Sequence, residues 1–130
     1  MKVLSPAAHG VLDYMTVVFF ALAPFLFELT GAYATVCYVL AGGYLLITLA
    51  TDFPLGVMRV IPFPVHGTFE LISGIALVLA PFIFGFSDDN PTARNLFMGS
   101  GVVFTIVWFL TDWRAQSHGS HTRSLMTDTH

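Results

Sequence analysis

Hydrophobic residues are grouped along this chain into four long runs, and short segments between the runs hold most of the polar residues. The runs cover residues 7–29, 33–51, 65–86 and 93–111. Each is long enough for one transmembrane helix, because about 20 helical residues cross a hydrocarbon core roughly 30 Å thick. A soluble helical bundle would need polar outer faces, which these runs lack. The pattern predicts an all-α integral membrane protein in a lipid bilayer.

The second half of the chain repeats the first. Three short segments recur, and their first and second copies are residues 9–13 and 66–70, 23–25 and 80–82, and 51–53 and 111–113. The first two pairs are 57 residues apart and the third is 60 apart. Recurrence at a nearly constant offset is the signature of a duplication. We therefore predict one transmembrane domain, residues 1–113, built from two tandem two-helix repeats, 6–53 and 63–113.

The duplication also predicts how the four helices are oriented. Each repeat crosses the membrane twice, so both repeats begin on the same side and are related by a pseudo-two-fold axis along the membrane normal. Four of the five Lys and Arg residues fall on the side that holds both termini and the middle loop, namely Lys2, Arg59, Arg114 and Arg123. The positive-inside rule then predicts that both termini are cytoplasmic.

Composition agrees with a membrane location and excludes some classes of function. The chain is 55% hydrophobic and 10% charged, with a mean hydropathy of +0.76. Its formal net charge of −3 argues against nucleic-acid binding, which needs a basic surface. Residues 114–130 hold few residues that a core would bury, so we predict a mobile polar tail there. The large lipid-facing surface is compatible with a homo-oligomer.

Six ionisable residues should converge near the cytoplasmic face. His9 and Asp13 are four residues apart, which places them on one helical face, and His66 and Glu70 repeat that spacing. The ends of the second and fourth runs add two further carboxylates, those of Asp52 and Asp112. Intramembrane charge is costly, at about 2.5 to 3.5 kcal/mol for one residue at the bilayer centre, so the cluster requires a compensating partner.

A metal ion is the partner on which we base the functional prediction. Two histidines and four carboxylates from four helices form the type of ligand set that di-metal carboxylate bundles use. Imidazole ligands favour Zn, Fe, Mn or Cu over Mg or Ca, and the set has room for one or two ions. The first-choice ligands are His9, Asp13, His66 and Glu70. Asp52 and Asp112 would complete the metal site or accept hydrogen bonds from the imidazoles. Haem ranks below a bare ion, because carboxylates one turn from each histidine would crowd the macrocycle.

Two other interpretations stay open at the level of sequence. In the first, the cluster is structural or belongs to a partner-binding membrane module, and its hydrogen bonds set the packing of the helices. In the second, histidine and aspartate relay protons through an ion-translocating carrier. The sequence gives no substrate pocket, so it neither predicts nor excludes an enzyme.

The chain resembles the SPW repeat family of small bacterial membrane proteins. The resemblance covers about residues 6–113 and includes the His-Gly-Val-Leu-Asp-Tyr opening at residues 9–14 and the Thr-Asp-Phe segment at 51–53. Ala-Pro-Phe, at residues 23–25 and 80–82, stands where that family carries Ser-Pro-Trp. The resemblance implies duplicated two-span units in the bacterial inner membrane, and it implies no activity.

Overall fold

The computed structural model describes residues 3–113 and contains the four predicted helices. They are α1 (Pro6–Leu26), α2 (Gly31–Ala50), α3 (Phe63–Ile83) and α4 (Pro91–Leu110). Each helix is long and apolar enough to cross a membrane. The all-helical fold class is thus confirmed. The predicted mobile tail, 114–130, lies outside the described residues, as do Lys2, Arg114 and Arg123, on which the predicted orientation partly depends.

Both α1 and α3 end three residues earlier than the apolar runs predict, at residues 26 and 83 instead of 29 and 86. The reason is the same turn in both halves. The backbone N–H of Leu29 donates to the carbonyl of Pro24, and that of Phe86 donates to Pro81. This closure needs a left-handed residue just beyond the helix, and Glu28 (φ 55°) and Gly85 (φ 74°) occupy that position.

The helices pack as two hairpins, α1 with α2 and α3 with α4. In the second hairpin the two backbones approach each other closely at a pair of glycines. A Cβ placed on Gly101 would collide with the carbonyl oxygen of Gly74, so neither helix has room for a side chain there. A core of buried aromatic and aliphatic side chains fills the space between the hairpins, including Phe20, Cys37, Tyr44, Phe97 and Phe104.

Short backbone pairings join the hairpins at one end of the bundle, which we call the histidine end. It is the end at which α1 and α3 begin and α2 and α4 finish. Strand β1 (Thr51–Asp52) pairs in parallel with strand β2 (Ile61–Pro62), and Leu4 forms a parallel bridge with Thr111. These pairings place α3 beside α2 and α1 beside α4. They occupy equivalent positions in the two repeats, which agrees with the predicted pseudo-two-fold axis; the axis itself stays a prediction.

Candidate metal-binding site

Four of the six predicted site residues meet at the histidine end between α1 and α3. His9, Asp13, His66 and Glu70 are all buried, with at most 5% of their surface exposed. One potential ligand atom from each lies within 4.8 Å of those from the other three. The carboxylates are seven residues into their helices, about 10 Å from the helix start at 1.5 Å per residue. The four side chains are therefore inside the bundle.

The closest contacts run across from one repeat to the other. His9 Nε2 lies 2.7 Å from Glu70 Oε2, and His66 Nε2 lies 3.0 Å from Asp13 Oδ2. Within each helix the corresponding distances are longer, 3.2 Å from His9 Nε2 to Asp13 Oδ1 and 3.8 Å from His66 Nε2 to Glu70 Oε2. Each imidazole therefore faces both carboxylates, and the closer one comes from the other half of the chain.

A threonine from the other hairpin orients each imidazole. His9 Nδ1 is 2.8 Å from Thr111 Oγ1, and His66 Nδ1 is 2.9 Å from Thr51 Oγ1. Both hydroxyls donate their hydrogen to the carbonyl one turn earlier, Thr51 to Ile47 at 2.6 Å and Thr111 to Val107 at 2.7 Å. A hydroxyl has one hydrogen to donate. Each threonine oxygen is thus an acceptor, and the hydrogen-bond network assigns a proton to Nδ1 of both histidines.

This assignment defines what the other ring nitrogens can do. In a neutral imidazole with its proton on Nδ1, Nε2 carries a lone pair, and here both Nε2 atoms are directed at carboxylate oxygens. The two Nε2 atoms, Asp13 Oδ2 and Glu70 Oε2 are buried and have no partner with hydrogen-bond geometry among residues 3–113. Buried polar atoms without such partners are uncommon and require an explanation. Converging lone pairs suit a cation between them.

Three aromatic rings close the histidine end beneath the imidazoles, and we call them the aromatic lid: Phe53, Phe63 and Trp113. Phe53 and Phe63 stack with their ring centroids 5.6 Å apart, and Phe63 contacts Trp113 at 4.6 Å. The indole also packs on the ring of His9 at 4.8 Å. Since Phe53 and Phe63 are almost fully buried, the lid separates the imidazoles from water at this end.

A glycine follows each histidine and makes room for the lid. A Cβ on Gly10 would collide with the ring of Phe53, and a Cβ on Gly67 would lie 3.0 Å from the indole of Trp113. The two glycines are equivalent in the repeat, as are the two aromatic residues. The His-Gly pair thus serves two purposes at once, a ligand on one side and a close aromatic contact on the other.

The remaining two predicted ligands lie outside this group of four. Asp52 is exposed in β1, and Asp112 is half-buried, with its backbone N–H donating to the carbonyl of Leu4 at 2.9 Å. Both aspartates have further interactions in the structure. At the same end of the bundle, Arg59 donates to the carbonyls of Pro54 and Gly56.

The repeat pattern contains a signal for the two threonines. Thr51 and Thr111 recur with the same spacing as the aspartates that follow them, although carboxylates have the more obvious metal chemistry. In the structure, α2 and α4 end just before Thr51 and Thr111, and both threonines are fully buried. The aspartates that follow them are more accessible, since Asp52 is exposed and Asp112 is half-buried. Phe63 carried no repeat signal, because its counterpart is Pro6.

A crevice of about 500 Å³ reaches the site from the side, between α1 and α4. Most of its lining is apolar, and its rim is exposed on the outer surface of the bundle at Met15, Phe19 and Val103. Asp13 and Glu70 belong to its lining. The carboxylates are therefore closed off by the aromatic lid at the histidine end and border an apolar space toward the bilayer.

Fold and site together define a small four-helix, multi-pass membrane protein with a buried His/Asp/His/Glu cluster. The family model of the SPW repeat domain matches residues 7–111. The chain belongs to the SPW repeat family, as its sequence resemblance predicted. No curated protein and no solved structure matches it.

Proposed function

We propose that this protein binds one divalent first-row transition-metal ion, held by His9, Asp13, His66 and Glu70. The observation that carries the proposal is the pair of threonine hydrogen bonds, which directs both Nε2 lone pairs at both carboxylates. Metal-bound histidines typically donate their other ring N–H to an oxygen in the same way. Here that oxygen is a threonine hydroxyl from the other hairpin.

The distances and charges of the four residues suit such an ion. Ligands about 2.0 Å from a tetrahedral metal are about 3.3 Å from one another, and the Nε2-to-oxygen distances here run from 2.7 to 3.8 Å. Two neutral imidazoles and two carboxylates carry a charge of −2, which a divalent cation neutralises. Mixed nitrogen and oxygen ligands favour Zn, Fe, Mn or Cu. When bound, the ion would supply Lewis acidity, and redox chemistry if it is Fe, Mn or Cu.

Metal analysis of the full-length chain tests the proposal. The parent protein for this test has the substitutions His118→Ala, His121→Ala and His130→Ala, because these three histidines can also bind metal and would add to the measured content. After loading with Zn²⁺ and gel filtration in detergent, we expect about one ion per chain, as in a four-ligand site. A His9→Ala/His66→Ala double variant should retain almost none.

A matched control separates the four-residue site from the six-residue set. Asp52→Asn removes a carboxylate at the same end of the bundle but outside the group of four, and it should leave the metal content unchanged. Equal metal content in the parent and the double variant would refute the site. Loss of metal in Asp52→Asn would mean that the ligand set extends to β1.

A structural role is the second candidate, and the short contacts across the repeats favour it. If both imidazoles are protonated, each forms an ion pair with a carboxylate of the other half, and the cluster is neutral without a metal. In that case the parent protein would hold no metal after loading, while Asp13→Asn would still lower the unfolding midpoint. If added Zn²⁺ raises the unfolding midpoint of the parent protein but not that of the His9→Ala/His66→Ala variant, the result supports the metal site.

We also propose that the histidine end faces the cytoplasm of a bacterial cell, in the inner membrane. The distribution of Lys and Arg along the sequence supports this orientation. The inner membrane is what the resemblance to small bacterial membrane proteins implies. A fluorescent protein that folds only in the cytoplasm, fused after residue 130, should then be bright, and a fusion in the loop 87–90 should be dark. The reverse pattern would invert the topology.

A further inference from the structure

We propose that the crevice between α1 and α4 binds a membrane-dissolved amphiphile with a hydroxyl-bearing head and a hydrocarbon tail. In this arrangement the hydroxyl donates to Asp13 or Glu70, and the tail lies along α4. The proposal does not depend on the metal, because the carboxylates are acceptors in either case.

The shape of the crevice suits a chain-like ligand from the bilayer. It follows α4 from Asn95 to Val107, which is about 18 Å at 1.5 Å per residue. Its volume of about 500 Å³ lies within the range of small-molecule sites, roughly 300 to 1,000 Å³. Since its rim residues are exposed on the outer surface of an apolar helix, the entrance opens where lipid tails would be.

The inner wall indicates what kind of head group would bind. Asp13 and Glu70 are 5% and 3% exposed, and both belong to the lining of this mostly apolar crevice. An acyl chain of a structural lipid would place only hydrocarbon against these carboxylates, and a charged group without donors is costly in an apolar surrounding. A hydroxyl head would supply a donor, and its tail would match the apolar wall.

Two small residues that line the crevice have larger counterparts in the first repeat. Gly99 and Ser100 line it on α4, and the equivalent positions of α2, 60 residues earlier, are Val39 and Leu40. A Cβ added to Gly99 would meet no atom within 4 Å, so this position borders open space. The duplicated scaffold thus has small residues at this level on one side only.

Photo-crosslinking in nanodiscs tests the proposal. The probe is hexadecanol with a diazirine beside the hydroxyl carbon, and labelled peptides should come from α1 or α4 near Asp13 and Ser100. Decylhydroquinone and dioleoylglycerol both carry a hydroxyl-bearing head and represent two sources of such ligands, quinols and diacylglycerols. The one that competes more strongly with labelling identifies the class of ligand. The dimethyl ether of decylhydroquinone has no O–H, so it should compete about tenfold less well, as expected for a lost hydrogen bond to a charged group.

A glycine variant provides the structural test. Gly99→Phe should fill the crevice and abolish labelling, while metal content stays as in the parent protein. Gly43→Phe is the matched control, because a Cβ at Gly43 on α2 also meets nothing within 4 Å, and labelling should persist. If Gly99→Phe lowers the unfolding midpoint, Gly99→Leu replaces it. Equal competition by the ether, or undiminished labelling in the folded Gly99 variant, would overturn the proposal.

Discussion

The two repeats are alike at the histidine end and differ along the membrane interior. At the histidine end, each half supplies one histidine, one carboxylate, one glycine for an aromatic ring and one threonine for the other half's imidazole. Farther into the bundle, Tyr44 corresponds to Phe104, and Leu40 corresponds to Ser100. Reciprocal contacts constrain both copies together, because a change in one half disturbs the partner in the other. The positions farther into the bundle make no such reciprocal contacts, so the two copies can differ there.

Removing either histidine should have the largest effect and should test whether the two halves contribute equally. His9→Ala and His66→Ala each leave a carboxylate of the other repeat buried without its imidazole, which we expect to cost about 3 to 5 kcal/mol of unfolding free energy. Unfolding in detergent, followed by circular dichroism, measures the loss. If one substitution costs several kcal/mol and the other almost nothing, the site belongs to one half of the chain.

Removing either threonine hydroxyl should have the next largest effect. Thr51→Val and Thr111→Val leave a buried Nδ1–H without its acceptor, at a cost of about 1 to 3 kcal/mol. They should also weaken metal binding by about 10- to 100-fold, as loss of a hydrogen-bond partner to a ligand histidine usually does. Zn²⁺ titration measures the affinity. Thr51→Ser and Thr111→Ser keep the hydroxyl and should restore it; unchanged affinity in the valine variants would contradict the assigned proton positions.

The glycines beneath the lid should distinguish the halves. Gly10→Ala places a methyl group against the buried ring of Phe53, whereas Gly67→Ala meets the indole of Trp113 at a distance that a small shift relieves. Overpacking typically costs about 1 to 3 kcal/mol, so we expect Gly10→Ala in that range and Gly67→Ala below it. The unfolding midpoints of the two variants compare the costs. A greater loss in Gly67→Ala would show that the indole is held more rigidly than the phenyl ring.

The smallest effect should come from the turns that follow α1 and α3. Glu28 adopts a left-handed conformation that costs a non-glycine residue roughly 1 to 2 kcal/mol, while Gly85 adopts it freely. Glycine is more flexible in the unfolded chain, which offsets about 0.4 to 1 kcal/mol. Glu28→Gly should therefore stabilise the protein by about 0.5 to 1 kcal/mol, and Gly85→Ala should destabilise it by a similar amount. Two changes of the same sign would contradict this explanation of the turns.

The four helices, the duplication and the four residues of the cluster could all be predicted from the amino-acid sequence. Apolar runs of about 20 residues leave few alternatives to a membrane helix, because unpaired backbone groups are too costly in lipid. The four-residue spacing from His9 to Asp13, and from His66 to Glu70, requires a common helical face. These features depend on contacts that are local along the chain or on exact recurrence, so they could be predicted without coordinates.

The side chains that complete the site could not be predicted from the sequence, because they depend on how the helices pack. Whether Thr51 or Asp52 faces the imidazole depends on where α2 ends and how β1 pairs with β2, and adjacent residues of a strand point in opposite directions. The crossed contacts between His9 and Glu70 and between His66 and Asp13 depend on how the two hairpins meet. The crevice likewise results from the distance between α1 and α4. These helices are far apart in sequence, so no local pattern predicts the crevice.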